Sequence, residues 1–519
     1  MAWRVTAEGV IKSTMTLPVE EIMFGDFLDR LFRRHSDRVA MIDTETGQQY
    51  TYGDLLRMVK SIAAGLQARG VKPHDIVVLC ARTSVKSCCY LLALLFCQAT
   101  ILATKPSYSA YELKGVLERF SSTKLVLGDE SSCPNLLQAT DGALVLNLEE
   151  NWDLSRAADF KHPGVADPKS SVMFMCLTSG STGPSKAVCI SHFNSIGNLT
   201  QWKTSFSRLV MCNPISHLSG AICFYLTIGN AETVFMAPEN LTDDVEKYLD
   251  VCDKYGIETG LTLPAHFTNL TKFGRSNKLD SVKHFLTGGS TIPQSLIDEF
   301  RSLYPHIFVE VVYGSSEAGI NLRSVDQENI LHLAVITNIE VKIVDIDTDE
   351  ILGPNQNGML YCRSPSVALG YYNNEEATKE VFKDGWHITG DLAFRDDEGR
   401  VVIVDRLKQL IKCMDKQVVP ADLELPLSKD RDVLKALVGG VPHEVYGEAA
   451  VAFVVPRKTS DLQQLRQRLL KEVETKCAFY KRLHGGLFFV ETIPEGAGGK
   501  FSRKEIVRRH LKKEIEYIE

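Results

Sequence analysis

The sequence predicts an α/β protein of two or more domains, and three observations carry that reading. Apolar residues at helical spacing alternate with short strand-like runs along most of the chain, the pattern of parallel sheets covered by helices on both faces. A length of 519 residues exceeds what a single hydrophobic core ordinarily serves. Beyond Asp405 the alternation gives way to a smaller α+β unit that ends in a helix from about Arg503.

Taken in order, Leu55, Leu56, Val59, Ile62, Ala63 and Leu66 recur at helical spacing, Gly70 closes that helix, and Ile76–Cys80 reads as a strand. No charge occurs between Lys86 and Lys105, and residues 90–96 are strongly apolar. Cys88, Cys89 and Gln98, followed by the β-leaning 99–102, favour a buried helix running into a central strand over a membrane span. Further strands are expected at 125–127, 143–148, Val172–Leu177 and 308–312. Residues 341–363 carry short strands with turns at 347–349 and 355–358, more like a small β-barrel than an α/β layer. Ser502 and Glu505 form a capping-box pattern for the last helix.

Composition excludes several classes of function. Hydrophobic residues at 44% and charged residues at 24% are those of an ordinary globular protein. A net charge of −7 gives no electrostatic footprint for nucleic acid, and the basic residues 503–513 are interspersed with Glu505 and Glu514. Thirteen cysteines are scattered without metal-ligand spacing, which suits reduced thiols inside a cell. Arg4, Glu8 and Lys12 break any apolar core of a secretory signal, so the sequons at Asn198, Asn240 and Asn269 read as idle. The last residues, 516–519, lack a Ser-Lys-Leu type of address, leaving cytosol and peroxisome both open.

The most informative stretch is Thr178, Ser179, Gly180, Ser181, Thr182, Gly183, Pro184, Ser185 and Lys186. Hydroxyls, glycines and one lysine allow backbone N–H groups, side-chain hydroxyls and a positive charge to turn toward one polyphosphate. The loop lies between two apolar runs, so it links strands rather than opening a helix. Pro184 and Ser185 separate Gly183 from Lys186, which excludes the P-loop spacing. Further along come Gly288, Gly289 and Ser290, then Tyr313, Gly314, Ser315, Ser316 and Glu317, then 384–391 ending in Gly390 and Asp391. Asp405, Arg406 and Lys408 lead on to Lys412, and Gly499 and Lys500 stand near the end.

Together these segments resemble the adenylate-forming superfamily, closest to the acyl-CoA synthetase, 4-coumarate-CoA ligase and beetle-luciferase branch, over residues 52–506. The resemblance implies two doubly wound α/β subdomains plus a small β-barrel in an N-terminal domain, 1–404. A small mobile α+β domain, 405–519, would turn on the hinge Asp405. It implies an acid ligase that uses ATP, Mg²⁺ and CoA and converts a fatty or aryl-propenoic acid first to its adenylate and then to a thioester. Lys500 would serve the first half-reaction and Lys412 the second. The 178–183 loop and Lys186 would hold phosphates, Ser315 and Ser316 would add hydroxyls, and Glu317 would ligate the metal. Gly288, Gly289 and Ser290 would lie flat on the adenine, with Tyr313 stacked on it and Gly314 in the turn. Asp391 would accept from the ribose hydroxyls, Arg406 would hold the ribose or phosphate end, and His217 would border the acyl pocket.

The chain also departs from the family pattern. Asp415 stands where thioester-forming relatives usually have glycine, placing bulk and negative charge in the path of an anionic cofactor. Ser185, Ala187 and Met359 replace the usual proline, glycine and glutamate, residues 329–337 lack a glycine-rich turn, and Ile320 stands where luciferases have serine. Two alternatives therefore stay open: a nucleotide- or acyl-binding relative without turnover, and transfer of the adenylate to a carrier protein or an amine.

Overall fold

The computed structural model describes the chain apart from Met1, Ser121, Lys124, 141–143, 150–152, Val165, 179–185, 203–206, Leu263, 290, 291, 293, Asp415, 458–460, 495–500 and Glu519. Among the described residues the strands form three sheets. The first runs in spatial order Gly370–Tyr371, Ala187–Ser191, Val172–Leu177, Thr100–Ala103, Ile76–Cys80, Leu125–Gly128 and Leu144–Asn147. Its last five strands are parallel, and the first two are antiparallel additions at one edge.

The second and largest sheet has a parallel half and an antiparallel half. Val39–Asp43, Val234–Met236, Leu209–Met211, Thr259–Thr262, His284–Gly288 and Phe308–Ser315 run parallel. Gly319–Ser324 then turns back antiparallel and leads through Leu333–Val335 to Val401–Arg406, Trp386–Arg395, Gly358–Arg363 and Glu340–Val344. The strands expected as a small barrel, Glu340–Val344 and Gly358–Arg363, thus belong to the antiparallel half of the same sheet as Phe308–Ser315.

Local sequence explains the elements between the sheets. Thr51 and Asp54 form a capping box for helix Tyr52–Ala68, and Gly70 follows it at φ +90°. Helix Val85–Phe96 is buried all round except at Lys86. A helix that is apolar on every face belongs inside a core, and the strand that follows it, Thr100–Ala103, is central in the first sheet. Among the described residues no helix is long and apolar enough to cross a membrane. All thirteen cysteines are free, and all but Cys133 and Cys477 are buried.

The third sheet contains only strands from Ile411 onward, with helices Pro420–Ser428, Leu462–Lys476 and Arg503–Leu511. It is packed on both faces: Leu465, Leu469 and Val473 meet Val454 and Leu487 on one, and Ile506 meets Leu437 and Phe453 on the other. The expected capping box at Ser502 is only half formed. Ser502 Oγ accepts from the Glu505 N–H at 3.3 Å, but the Glu505 carboxylate is drawn to Arg508 and Arg509, and the Ser502 N–H donates to the Pro494 carbonyl. Two nearby guanidinium groups outcompete one backbone N–H for a carboxylate.

Candidate functional site

Strands Val172–Leu177 and Ala187–Ser191 pair antiparallel with Leu177 opposite Ala187, so the glycine- and hydroxyl-rich loop is the tip of a hairpin. At its base the Thr178 N–H donates to the Lys186 carbonyl at 2.8 Å, and the Lys186 N–H donates to Thr178 Oγ1 at 3.3 Å. Ser179, Gly180, Ser181, Thr182 and Gly183 lie outside the described residues. The Lys186 ammonium sits 4.9 Å from the ring centre of Tyr371. Tyr371 comes from the neighbouring strand, where it pairs with Val188.

The Tyr371 hydroxyl donates to Glu317 Oε1 at 2.9 Å, which joins the hairpin to the second sheet. Glu317 occupies the turn between Phe308–Ser315 and Gly319–Ser324, and its carbonyl accepts from the Ala368 N–H at 2.8 Å. Gly314 is required by that turn, because a Cβ there would stand 2.2 Å from the Gly319 carbonyl oxygen. Ser315 Oγ is buried without a partner among the described residues, and Ser316 lines a cavity described below. Arg323, on the strand after that turn, pairs with Glu310 at 3.6 Å.

A second chain of contacts joins Tyr313, Asp391 and Arg406. The Tyr313 hydroxyl donates to Asp391 Oδ2 at 2.6 Å, and Arg406 Nε lies 3.2 Å from Asp391 Oδ1. Strand pairing places Asp391 opposite Arg406. Burial raises the Asp391 carboxyl above its ordinary value, Arg406 and the Tyr313 hydrogen bond oppose that, and the charges of Asp405 and Glu317 add to it. His387, also buried, is held below the usual imidazole range by burial while the Glu317 charge opposes the shift. Its Nε2 has no partner among the described residues.

Gly288 ends strand His284–Gly288, where a Cβ would stand 2.3 Å from the Val312 carbonyl, and Gly289 follows at φ +83°. Packing demands glycine at 288 and the left-handed backbone favours it at 289, and Ser290 lies outside the described residues. Asp405 is buried near the end of strand Val401–Arg406, and its Oδ1 accepts from the Arg406 N–H at 2.7 Å. Lys412 is exposed on strand Ile411–Cys413, where its N–H donates to Glu448 at 2.7 Å. Lys500 and Asp415 lie outside the described residues.

A narrow cavity opens beside Ser316 and Gly319, lined chiefly by Met173, Phe174, Ile190, Leu199, Leu218 and Ile222, with Ser195, Asn198 and Ser366 as polar members. His217 caps the helix Leu218–Gly229 at its edge, with Nδ1 2.8 Å from Ser219 Oγ. Inspection of the sequence missed the cavity, Tyr371 and His387. Only the Gly-Tyr-Tyr run at 370–372 hinted at Tyr371, and its partner is 54 residues away.

Comparison with known proteins follows the same outline. The profile of the AMP-binding enzyme family matches residues 28–372, and that of the AMP-binding enzyme C-terminal domain matches 423–500. The chain is 30% identical to 4-coumarate–CoA ligase-like 9 of Oryza sativa subsp. japonica, covering 92% of this chain and 91% of that protein. It is 28% identical to peroxisomal OPC-8:0-CoA ligase 1 of Arabidopsis thaliana, covering 91% of each. Its fold is similar to that of ATP-bound MatB from Rhodopseudomonas palustris, with TM-score 0.84 and 24% identity over 95% of this chain and 100% of that one.

Proposed function

Because the chain belongs to the AMP-binding enzyme family, we propose that it is an ATP-dependent acid–thiol ligase. It activates a carboxylic acid as the acyl-adenylate and then forms the CoA thioester. The observation that carries the reading is the joining of Lys186, Tyr371 and Glu317 beside Tyr313, Asp391 and Arg406. One end offers a cation and a carboxylate to a triphosphate, and the other offers a buried acceptor to a ribose.

In the first half-reaction a carboxylate oxygen attacks the α-phosphorus and pyrophosphate leaves, so no proton must move. The difficulty is bringing two anions together, which requires positive charge and fixed in-line geometry. Lys186 and the hairpin loop hold the β- and γ-phosphates, and Lys500 supplies the charge between carboxylate and α-phosphate. A lone loop carboxylate beside bound phosphates fits Mg²⁺, which takes one or two carboxylates and keeps phosphate oxygens and waters as its other ligands. Glu317 would hold it, and the ion would neutralise charge on the phosphate oxygens. Asp391 accepts from the ribose hydroxyls, and Arg406 follows it as the chain passes into the second unit at Asp405. In the second half-reaction the CoA thiol gives up its proton to solvent, its sulfur attacks the acyl carbonyl and AMP leaves, with Lys412 on the facing surface. The apolar cavity beside Ser316 receives the acyl group; its described lining contains no charged residue, which favours a monocarboxylic acid, fatty or aryl-propenoic.

The experiment is acid-dependent pyrophosphate release with MgATP across fatty and aryl acids, with and without CoA. Release that requires an acid, followed by thioester when CoA is present, is the expected result and shows that Asp415 is tolerated. ATP binding with no release for any acid would leave a binding protein without turnover.

A further inference from the structure

Lys186 and Glu317 carry opposite charges and approach the same tyrosine, yet the ammonium rests on the ring while the carboxylate takes the hydroxyl. We infer that Tyr371 is a positioning residue that keeps Lys186 and Glu317 from pairing with each other, so that both stay available to MgATP. The inference rests on the nucleotide-binding reading above.

A flexible lysine and a loop glutamate that reach opposite parts of one tyrosine attract each other when partly shielded from water, and a direct pair would occupy both groups. Tyr371 offers each a different alternative: the ring face attracts the ammonium, and the hydroxyl hydrogen-bonds the carboxylate. The tyrosine is itself fixed, since strand pairing sets its backbone opposite Val188, its N–H donates to Thr378 Oγ1 at 3.0 Å, and its ring meets Phe382 edge-on at 6.0 Å. It also spans two sheets, because its strand lies at the edge of the first sheet while Glu317 belongs to a turn of the second. A cation–π contact and one hydrogen bond are weak enough for an incoming polyphosphate and its metal to displace.

The test is ATP binding measured calorimetrically on the full chain, with EDTA and with Mg²⁺, for the wild type, Lys186→Ala, Tyr371→Phe, Tyr371→Leu and Tyr371→Leu combined with Glu317→Gln. Tyr371→Leu fills most of the space while removing both contacts, so Lys186 closes on Glu317 and metal-free ATP affinity falls about tenfold. Adding Glu317→Gln removes the competing charge and restores metal-free affinity to within about threefold of the wild type. Tyr371→Phe keeps the ring and gives a smaller loss, about threefold. Unchanged affinity in Tyr371→Leu, or no recovery on adding Glu317→Gln, overturns the positioning role. A wild type that binds no ATP, with or without Mg²⁺, overturns the nucleotide reading itself and this inference with it, whereas loss of binding in Lys186→Ala alone sustains the former and refutes the latter. Thermal unfolding of Tyr371→Phe, which preserves the packing, separates misfolding from a lost contact.

Discussion

The large region up to Arg406 and the smaller unit from Ile411 treat polar groups in opposite ways. In the first, site residues are fixed by strand register and buried bonds: Asp391 lies opposite Arg406, accepts from Tyr313 and is 5% exposed. In the second, Lys412 stands exposed on a short strand, and Arg503 meets Glu424 at 2.8 Å within the unit and Asp405 at 3.8 Å across the seam. The difference suits a division of labour in which one region holds the nucleotide in a preorganised frame and the other brings charge to it.

The sharpest way to break that comparison is Lys500→Ala. If the smaller unit supplies the charge for adenylation, acid-dependent pyrophosphate release falls 100-fold or more while ATP affinity changes little. Lys412→Ala should spare release and slow thioester formation from supplied acyl-adenylate. Equal effects of both substitutions on both half-reactions would erase the division.

Acid distinguishes the two regions by stability. His192 and His266 are buried in the large region, and burial pushes their imidazoles down to about 3 and about 4. The neutral form is used, since His192 Nδ1 accepts from the Phe24 N–H at 3.1 Å. Below the ordinary imidazole value of 6.5 the unfolded chain takes up protons that the native state refuses, so stability is complete above pH 6.5 and declines as pH falls toward 4. Each histidine contributes about 1.4 kcal/mol per pH unit within that window. All four tryptophans, Trp3, Trp152, Trp202 and Trp386, precede Asp405. Urea unfolding followed by tryptophan fluorescence at a series of pH values therefore reports the large region, and a midpoint that stays constant from pH 7 to 4.5 would contradict the assignment.

Asp391 shows the cost of a preorganised site. Burial raises its carboxyl, so the charged form weighs against the native state as pH rises through that raised value above 3.8. Asp391→Asn retains an acceptor for Tyr313 and removes the charge. It should leave thermal stability at pH 7 equal or higher while lowering ATP affinity about tenfold, the size of one lost charge-assisted bond. A fall in both quantities would mean that the Arg406 pair, not the ribose, is what Asp391 serves.

How much of this was legible in sequence depended on how local the determining contacts are. The strands flanking the glycine- and hydroxyl-rich loop were readable because apolar runs flank it, and helix Tyr52–Ala68 because its periodicity and terminal glycine lie within twenty residues of one another. The buried helix Val85–Phe96 was readable from the absence of charge. Tyr371 was not, because its two contacts come from a hairpin base and from a turn of a different sheet. The cavity was not, because its lining runs from Met173 to Ser366 and is assembled only when helix His192–Gln201 packs on Leu218–Gly229. The half-formed cap at Ser502 failed for a reason that was in plain view: arginines at 508 and 509 compete for Glu505.

The smallest expected effect lies at the seam itself. Arg503 starts the last helix three residues after Lys500, hydrogen-bonds Gln409 and Glu424, and faces the buried Asp405. Asp405 Oδ2 has no hydrogen-bond partner among the described residues, and the Arg503 charge is the largest influence opposing the cost of its burial. The guanidinium therefore ties the start of the last helix to the end of the strand that carries Asp405. Lysine at this position keeps the charge but cannot reach three acceptors with one planar fork. Arg503→Lys should slow pyrophosphate release about fivefold, the cost of one imperfect charged contact, and leave thioester formation from supplied adenylate unchanged. Equal slowing of both half-reactions would make Arg503 a brace for the smaller unit as a whole.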